Sequence, residues 1–254
     1  MLPRRPAVYS ATVSVQEPAK PARAPCRAAQ PAPTAPPSVE LVLARLREQF
    51  GTPKPRHTEG ALAELVITIL SQNTSDANTD RAFASLWARF GAWDAILNAP
   101  VTEIADAIRT GGLADTKAPR IKGALAAIQR DRGSLSLEFL ADWSVDDARQ
   151  YLTALNGVGP KTAACVLLFA LGMPAMPVDT HVHRVSKRLG LIGANVSAEA
   201  AHQLLEADIP APLMFDAHML LIQHGRTICK AQRPRCEACP LADVCPRVGV
   251  LIKT

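Results

Sequence analysis

The chain has 254 residues, 48% of them hydrophobic and 20% charged, enough to bury a substantial core as one large domain or two smaller lobes. The net charge is +5, but residues 1–37 carry five basic residues against Glu17 alone, so the rest of the chain is close to neutral and any nucleic-acid binding must rest on local patches. The longest apolar run, Ala163 to Leu171, falls far short of the ~20 residues a membrane helix needs, and six cysteines are too few for a secreted disulfide scaffold.

Residues 1–37 hold nine prolines among Ala, Arg and Ser with no apolar periodicity. Such a segment cannot bury enough surface to offset its ordering entropy and is expected to be a disordered, dispensable basic extension. An organellar transit peptide shares the Arg content and scarcity of acids, although the prolines oppose the amphipathic helix such peptides form. With no apolar signal core and cysteines suited to a reducing compartment, a cytoplasmic location is expected. From Ser38 the pattern is helical. Leu62, Leu65, Val66, Ile69 and Leu70 fall at i, i+3, i+4, i+7 and i+8, one helix face, with Thr58 as its N-cap. Further helix starts are expected at Ser144 and Ser197, and stops at Gly91, Gly111–Gly112, Gly133 and Gly190. No period-two alternation argues for a sheet, so the fold class is all-α.

The run Leu155-Asn156-Gly157-Val158-Gly159-Pro160-Lys161-Thr162-Ala163 joins one helix to the next, with Pro160 suited to a first helical turn. Gly157 and Gly159 permit a tight turn whose N–H groups point outward, a natural seat for a phosphate at the positive end of the following helix. A G-x-G alone is weak evidence. Lys161 lies in that helix's first turn, where the dipole disfavours a cation and so favours the neutral, nucleophilic amine. By position alone, an exposed surface lysine fits as well.

Asp179, in Pro177-Val178-Asp179-Thr180-His181-Val182, reads first as the N-cap of a helix carrying Val182, Val185 and Leu189. A helix from Lys161 to Leu171 would cover ~16 Å. The proline-stiffened link from Gly172 to Val178 can span ~23 Å, so the chain is able to return and set Asp179 beside Lys161. Leu213, Met214, Ala217, Leu220 and Leu221 mark a late amphipathic helix. After it, Cys229, Cys236, Cys239 and Cys245 are separated by six, two and five residues of polar character. Four convergent thiolates select zinc or an iron–sulfur cluster, and spacing does not choose between them.

Four segments together resemble the helix–hairpin–helix base-excision DNA glycosylases, and among them endonuclease III. They are residues 155–163, Val-Asp-Thr-His-Val-His-Arg-Val (178–185), His-Gly-Arg-Thr-Ile-Cys (224–229) and the cysteine spacing. The resemblance covers roughly residues 40–247. It implies a six-helix barrel domain over 53–173 and an iron–sulfur domain formed by 38–52 with 174–254. It also implies a [4Fe–4S] cluster on the four cysteines. Lys161 becomes the Schiff-base nucleophile and Asp179 the essential carboxylate. Lys230, Arg233 and Arg235 become the loop that grips the DNA backbone, and Gly157 and Gly159 the phosphate seat. Ser71-Gln72-Asn73-Thr74 puts Gln72 where the flipped nucleotide's gap is filled, and Gly112 to Ala118 makes Leu113 the apolar wedge. An ordinary helix C-cap for Gln72 and a core leucine for Leu113 are the plainer alternatives. Ser71 and Asn73 replace the family's alanines, which bears on the choice of base. The implied activity is that of a monomeric, bifunctional DNA glycosylase/AP lyase acting on duplex DNA with a damaged base, most simply an oxidised pyrimidine, or an abasic site. A mismatch-specific thymine or uracil glycosylase and a non-catalytic iron–sulfur DNA-binding protein are the rivals.

Overall fold

The computed structural model describes residues 35–55 and 59–250. The expectations for residues 1–34 and for Thr58 lie outside the described residues. Among the described residues there is no strand, and no helix is long and apolar enough to cross a membrane. The fold is all-α, and the chain divides into two compact units: residues 59–173, and residues 35–55 together with 174–250.

In the first unit the core is built around α2 (Ala61–Leu70). The spacing predicted one buried face, but all ten of its residues are buried, Glu64 and Thr68 included. A helix that is apolar nearly all round belongs in the middle of a bundle. It packs against α3 (Asp76–Phe90), α6 (Ala114–Arg132), α8 (Pro160–Cys165) and the π-helical turn Val166–Ala170 that continues α8. Gly60 occupies its N-cap position. The Thr68 hydroxyl donates to Glu64 Oε1 at 3.2 Å, which satisfies part of the buried carboxyl. Two short helices, α4 (Trp93–Asn98) and α5 (Val101–Ala107), and α7 (Val145–Thr153) complete the unit.

Most of the expected punctuation is used, although the helix before Gly111–Gly112 already ends at Ala107 and Gly112 closes only the 3-10 turn Arg109–Gly111. Ser144 caps α7 by accepting from the Asp147 amide, and Gly91 and Gly133 end α3 and α6 in the left-handed conformation.

The second unit contains α1 (Val39–Phe50), α9 (Thr180–Leu189), α10 (Ala198–Asp208) and α11 (Met214–Thr227). Helix α11 packs on α1 and α9, with Met214, Ala217, Leu220 and Leu221 buried as their spacing predicted and Leu213 only half-buried in the 3-10 turn before it. Where α9 meets α11 the backbones approach closely: a Cβ on Gly225 would lie 2.9 Å from the His181 Cβ. Only glycine fits there. Pro36, counted with the tail by composition, lies against Gly190 at the end of α9.

Candidate nucleic-acid interface and cluster site

The first unit gathers three candidate elements around one face of α6. The first is the turn between α2 and α3. Ser71 closes α2, with its amide bonded to the Ile67 carbonyl and its hydroxyl donating to the Thr68 carbonyl at 2.9 Å. Asn73 follows in the left-handed region at φ 54°. Both residues thus have a local reason: serine caps, and asparagine tolerates this backbone. Gln72 between them is half-buried, and its Oε1 accepts from Arg120 Nη1 at 3.0 Å. It is not the C-cap, a position Ser71 takes.

The second element is Leu113, immediately before α6. It is 55% exposed and left-handed at φ 52°. This is no core leucine. An exposed apolar side chain on a disfavoured backbone is an expenditure of stability that packing does not repay, and such strain concentrates at functional sites.

Lys117 fixes these two turns to each other. It is 1% exposed, and its Nζ donates to the Leu70 carbonyl at 2.7 Å and the Gly111 carbonyl at 2.8 Å. Burial lowers its ammonium from the usual lysine range. One cation therefore joins the end of α2 to the residue pair preceding the exposed leucine. No motif in the sequence singles out either Lys117 or Arg120. A signal existed for Lys117: it shares the buried stripe Ala114, Ala118, Ile121, Leu125 and Ile128, where a charge requires an internal partner.

The third element is the hairpin between α7 and α8. Leu155 and Val158 are buried beneath it, and Gly157 turns at φ 83°. The amides of Gly157 and Gly159 donate to no carbonyl among the described residues, so both stay available for an anion. Gly157 has a further constraint, since a Cβ there would meet the Arg120 Cδ at 2.6 Å. Lys161 follows in the first turn of α8 with its side chain exposed and no ion pair among the described residues.

In the second unit Asp179 caps α9. Its Oδ1 accepts from the amides of His181 at 2.8 Å and Val182 at 2.7 Å, so the capping reading describes the helix start. The same helix carries Arg184 and Arg188 one turn apart. Arg184 Nε donates to the Cys229 carbonyl at 3.1 Å, and its Nη2 to the Gly225 carbonyl at 2.9 Å. Arg188 reaches the Lys230 carbonyl at 2.7 Å and the Ala231 carbonyl at 3.0 Å. The loop bearing Lys230, Arg233 and Arg235 is therefore held by its backbone while those three side chains stay exposed. At its neck the Ile228 carbonyl accepts both the Lys230 amide at 2.9 Å and the Arg235 amide at 3.0 Å.

Cys229, Cys236, Cys239 and Cys245 line one cavity with Arg188 and His224. Burial pushes the Cys239 thiol up to about 12, and raises Cys236 and Cys245 as well. Thiolates so buried need a positive partner, and the four cysteines would find one in an iron–sulfur core held between them. N–H groups already face two of the sulfurs. The Leu241 amide lies 3.4 Å from Cys239 Sγ, and Arg188 Nη1 lies 3.4 Å from Cys229 Sγ. His224 Nε2 is 3.7 Å from Cys239 Sγ, and burial brings its imidazole down to about 4. The donor set fits an iron–sulfur cluster.

Comparison with known proteins agrees with this geometry. The description "HhH-GPD superfamily base excision DNA repair protein" matches residues 66–211, and "iron-sulfur binding domain of endonuclease III" matches residues 229–245. A candidate DNA glycosylase of Arabidopsis thaliana is 43% identical over 195 residues, covering 75% of this chain and 66% of that protein. Endonuclease III of Bacillus subtilis is 34% identical over 208 residues, covering 82% of this chain and 91% of the relative. Among solved structures, a trapped endonuclease III–DNA covalent intermediate superposes with a TM-score of 0.70 at 31% identity, covering 82% of this chain and 93% of that one. The matched regions contain the hairpin and all four cysteines, and the chain belongs to the endonuclease III family of the HhH-GPD superfamily, as a DNA-binding glycosylase/AP lyase with a [4Fe–4S] cluster.

Proposed function

We propose that Lys161 is the nucleophile of this glycosylase/AP lyase, that Asp179 is its partner carboxylate, and that the substrate is an oxidised pyrimidine in duplex DNA. The observation that carries the reading is Lys161 itself: an exposed, unpaired amine in the first turn of α8, beside hairpin amides free to take a phosphate. A non-catalytic binding module has no need of it.

Gly157 and Gly159 would seat a phosphate by their backbone. Gln72 would fill the gap left by the extruded nucleotide, with Leu113 wedging the opposite stack, since an enzyme that flips a base must hold open the space it leaves. Lys161 Nζ attacks the sugar C1′ as the base departs with the electrons of the glycosidic bond. Asp179 offsets the positive charge that develops on the sugar or takes the proton the amine loses. Ring opening gives an imine between Nζ and C1′. Loss of a C2′ proton then expels the 3′ phosphate by β-elimination, and water releases the enzyme. Cys229, Cys236, Cys239 and Cys245 would hold the [4Fe–4S] cluster, whose contribution is to anchor the loop of Lys230, Arg233 and Arg235 against the DNA backbone. A monomer suffices for all of these roles.

Asp179 has to serve as cap and as catalytic group at once. Its Oδ2 accepts no hydrogen bond from the described residues, which leaves one oxygen for chemistry.

Borohydride trapping on an abasic duplex is the test. Wild type should give a covalent adduct and Lys161→Ala none, with duplex affinity largely kept because the phosphate seat is backbone. Asp179→Asn retains the cap and should slow cleavage by at least about a hundredfold. An adduct formed by Lys161→Ala at the wild-type rate would sink the assignment. Duplexes with thymine glycol, dihydrouracil, uracil and a G·T mismatch test the base. The oxidised pyrimidines should be cut fastest, and a preference for G·T would favour the mismatch glycosylase instead.

A further inference from the structure

Arg120, like Lys117, touches two of the three interface elements of the first unit, and it alone of the two reaches a side chain of the proposed interface. Its guanidinium donates to Gln72 Oε1 at 3.0 Å, and its aliphatic stem packs where a side chain on Gly157 would stand. It is half-buried and makes no ion pair among the described residues, so its position is not explained by a neighbouring acid.

Arginine has donors only, so the atom of Gln72 facing it must be the amide oxygen. The amide is thereby prevented from flipping, and its Nε2–H group is turned away from Arg120. A gap-filling glutamine that is free to rotate can offer either a donor or an acceptor to the base left unpaired. One that is pinned at its oxygen offers a donor.

We propose that Arg120 is a positioning residue that fixes the Gln72 amide with its N–H donors toward the unpaired base, and so sets which base is preferred opposite the lesion. The proposal rests on the reading of Gln72 as the gap-filling residue. Donors are answered by a keto oxygen at the 6-position of a purine or the 4-position of a pyrimidine, and not by an amino group there. Guanine and thymine opposite the lesion should be favoured over adenine and cytosine.

The experiment is single-turnover excision of one damaged pyrimidine placed opposite each of the four bases, with the holoenzyme. Arg120→Met keeps the stem against Gly157 and removes the donors. It should shrink the keto-over-amino preference by about tenfold, the worth of one hydrogen bond to a charged group. Arg120→Lys restores a donor and should restore the preference. In a Gln72→Ala background, Arg120→Met should change the preference no further, since the effect passes through the glutamine. Gln72→Glu is an independent check, because glutamate still faces Arg120 with an oxygen but presents an acceptor to the base. The ranking should invert.

Equal slowing on all four duplexes by Arg120→Met, with a salt slope shallower by about 0.9, would mean a simple phosphate contact and overturn the proposal. An uninverted ranking in Gln72→Glu would overturn it too. A wild-type ranking in Gln72→Ala would be a different failure, that of the gap-filling role itself.

Discussion

The two units hold their candidate DNA-facing parts by opposite means. In the first, the Gln72 turn, the Leu113 turn and the hairpin are fixed by protein groups alone: Lys117 to two carbonyls, and Arg120 to Gln72 and against Gly157. In the second, Lys230, Arg233 and Arg235 sit on a loop with almost no apolar residues of its own, tied to Arg188 and flanked by cysteines. A loop without a core needs a different anchor. On the proposed reading the inorganic group would serve geometry where hydrophobic burial is unavailable, while the first unit needs none because α2 supplies a core beneath it.

Removing the cluster should break the comparison most severely. Cys236→Ser, or iron chelation, should weaken affinity for every duplex by about tenfold or more as three cations lose their fixed places. Hydrogen exchange should accelerate in the last turn of α11 and the loop, and stay slow in α2. Equal acceleration in both units would contradict the division.

Lys117→Met is the corresponding lesion of the first unit. It leaves the Leu70 and Gly111 carbonyls buried without their donor, at a cost of about 1–3 kcal/mol by chemical denaturation. Excision of a damaged base should slow more than cleavage of a pre-formed abasic site, since only the former needs the two turns held in register. Iron content should not change.

The smallest effect sharpens the contrast between stability and use. Leu113→Asn places a residue tolerant of left-handed backbone at φ 52°, so stability should hold or rise by roughly 0.5 kcal/mol while excision slows. A thermal melt and a single-turnover rate on one preparation decide it. A loss beyond about 2 kcal/mol would return Leu113 to the core.

Much of this was legible in the chain because the relevant signals are local. The serine caps at Ser144 and Ser197, the left-handed stops at Gly91, Gly133 and Gly190, and the 6-2-5 cysteine spacing each depend on a few neighbouring residues. What the sequence hid was long-range. The five apolar positions of α2 define a face, but burial of the other side, Glu64 and Thr68 included, depends on which helices surround it. Lys117 and Arg120 act 47 and 48 residues away in sequence, on the Leu70 carbonyl and the Gln72 amide. Arg188 acts 42 residues away on the Lys230 carbonyl. No periodicity announces a partner at that separation. Asn73 and Ser71 were a different case: they looked like choices about the base and have sufficient cause in the backbone.

The Ile228 carbonyl, receiving two amides at the neck of the basic loop, has a consequence for how binding strength depends on time and temperature. Lys230 to Arg235 form a small closed ring before any DNA is present, so the conformational freedom of that backbone is lost at folding and not at association. Duplex binding through this loop should accordingly show a small ordering entropy and a fast, diffusion-led approach, set by charge and salt in place of a slow disorder-to-order step.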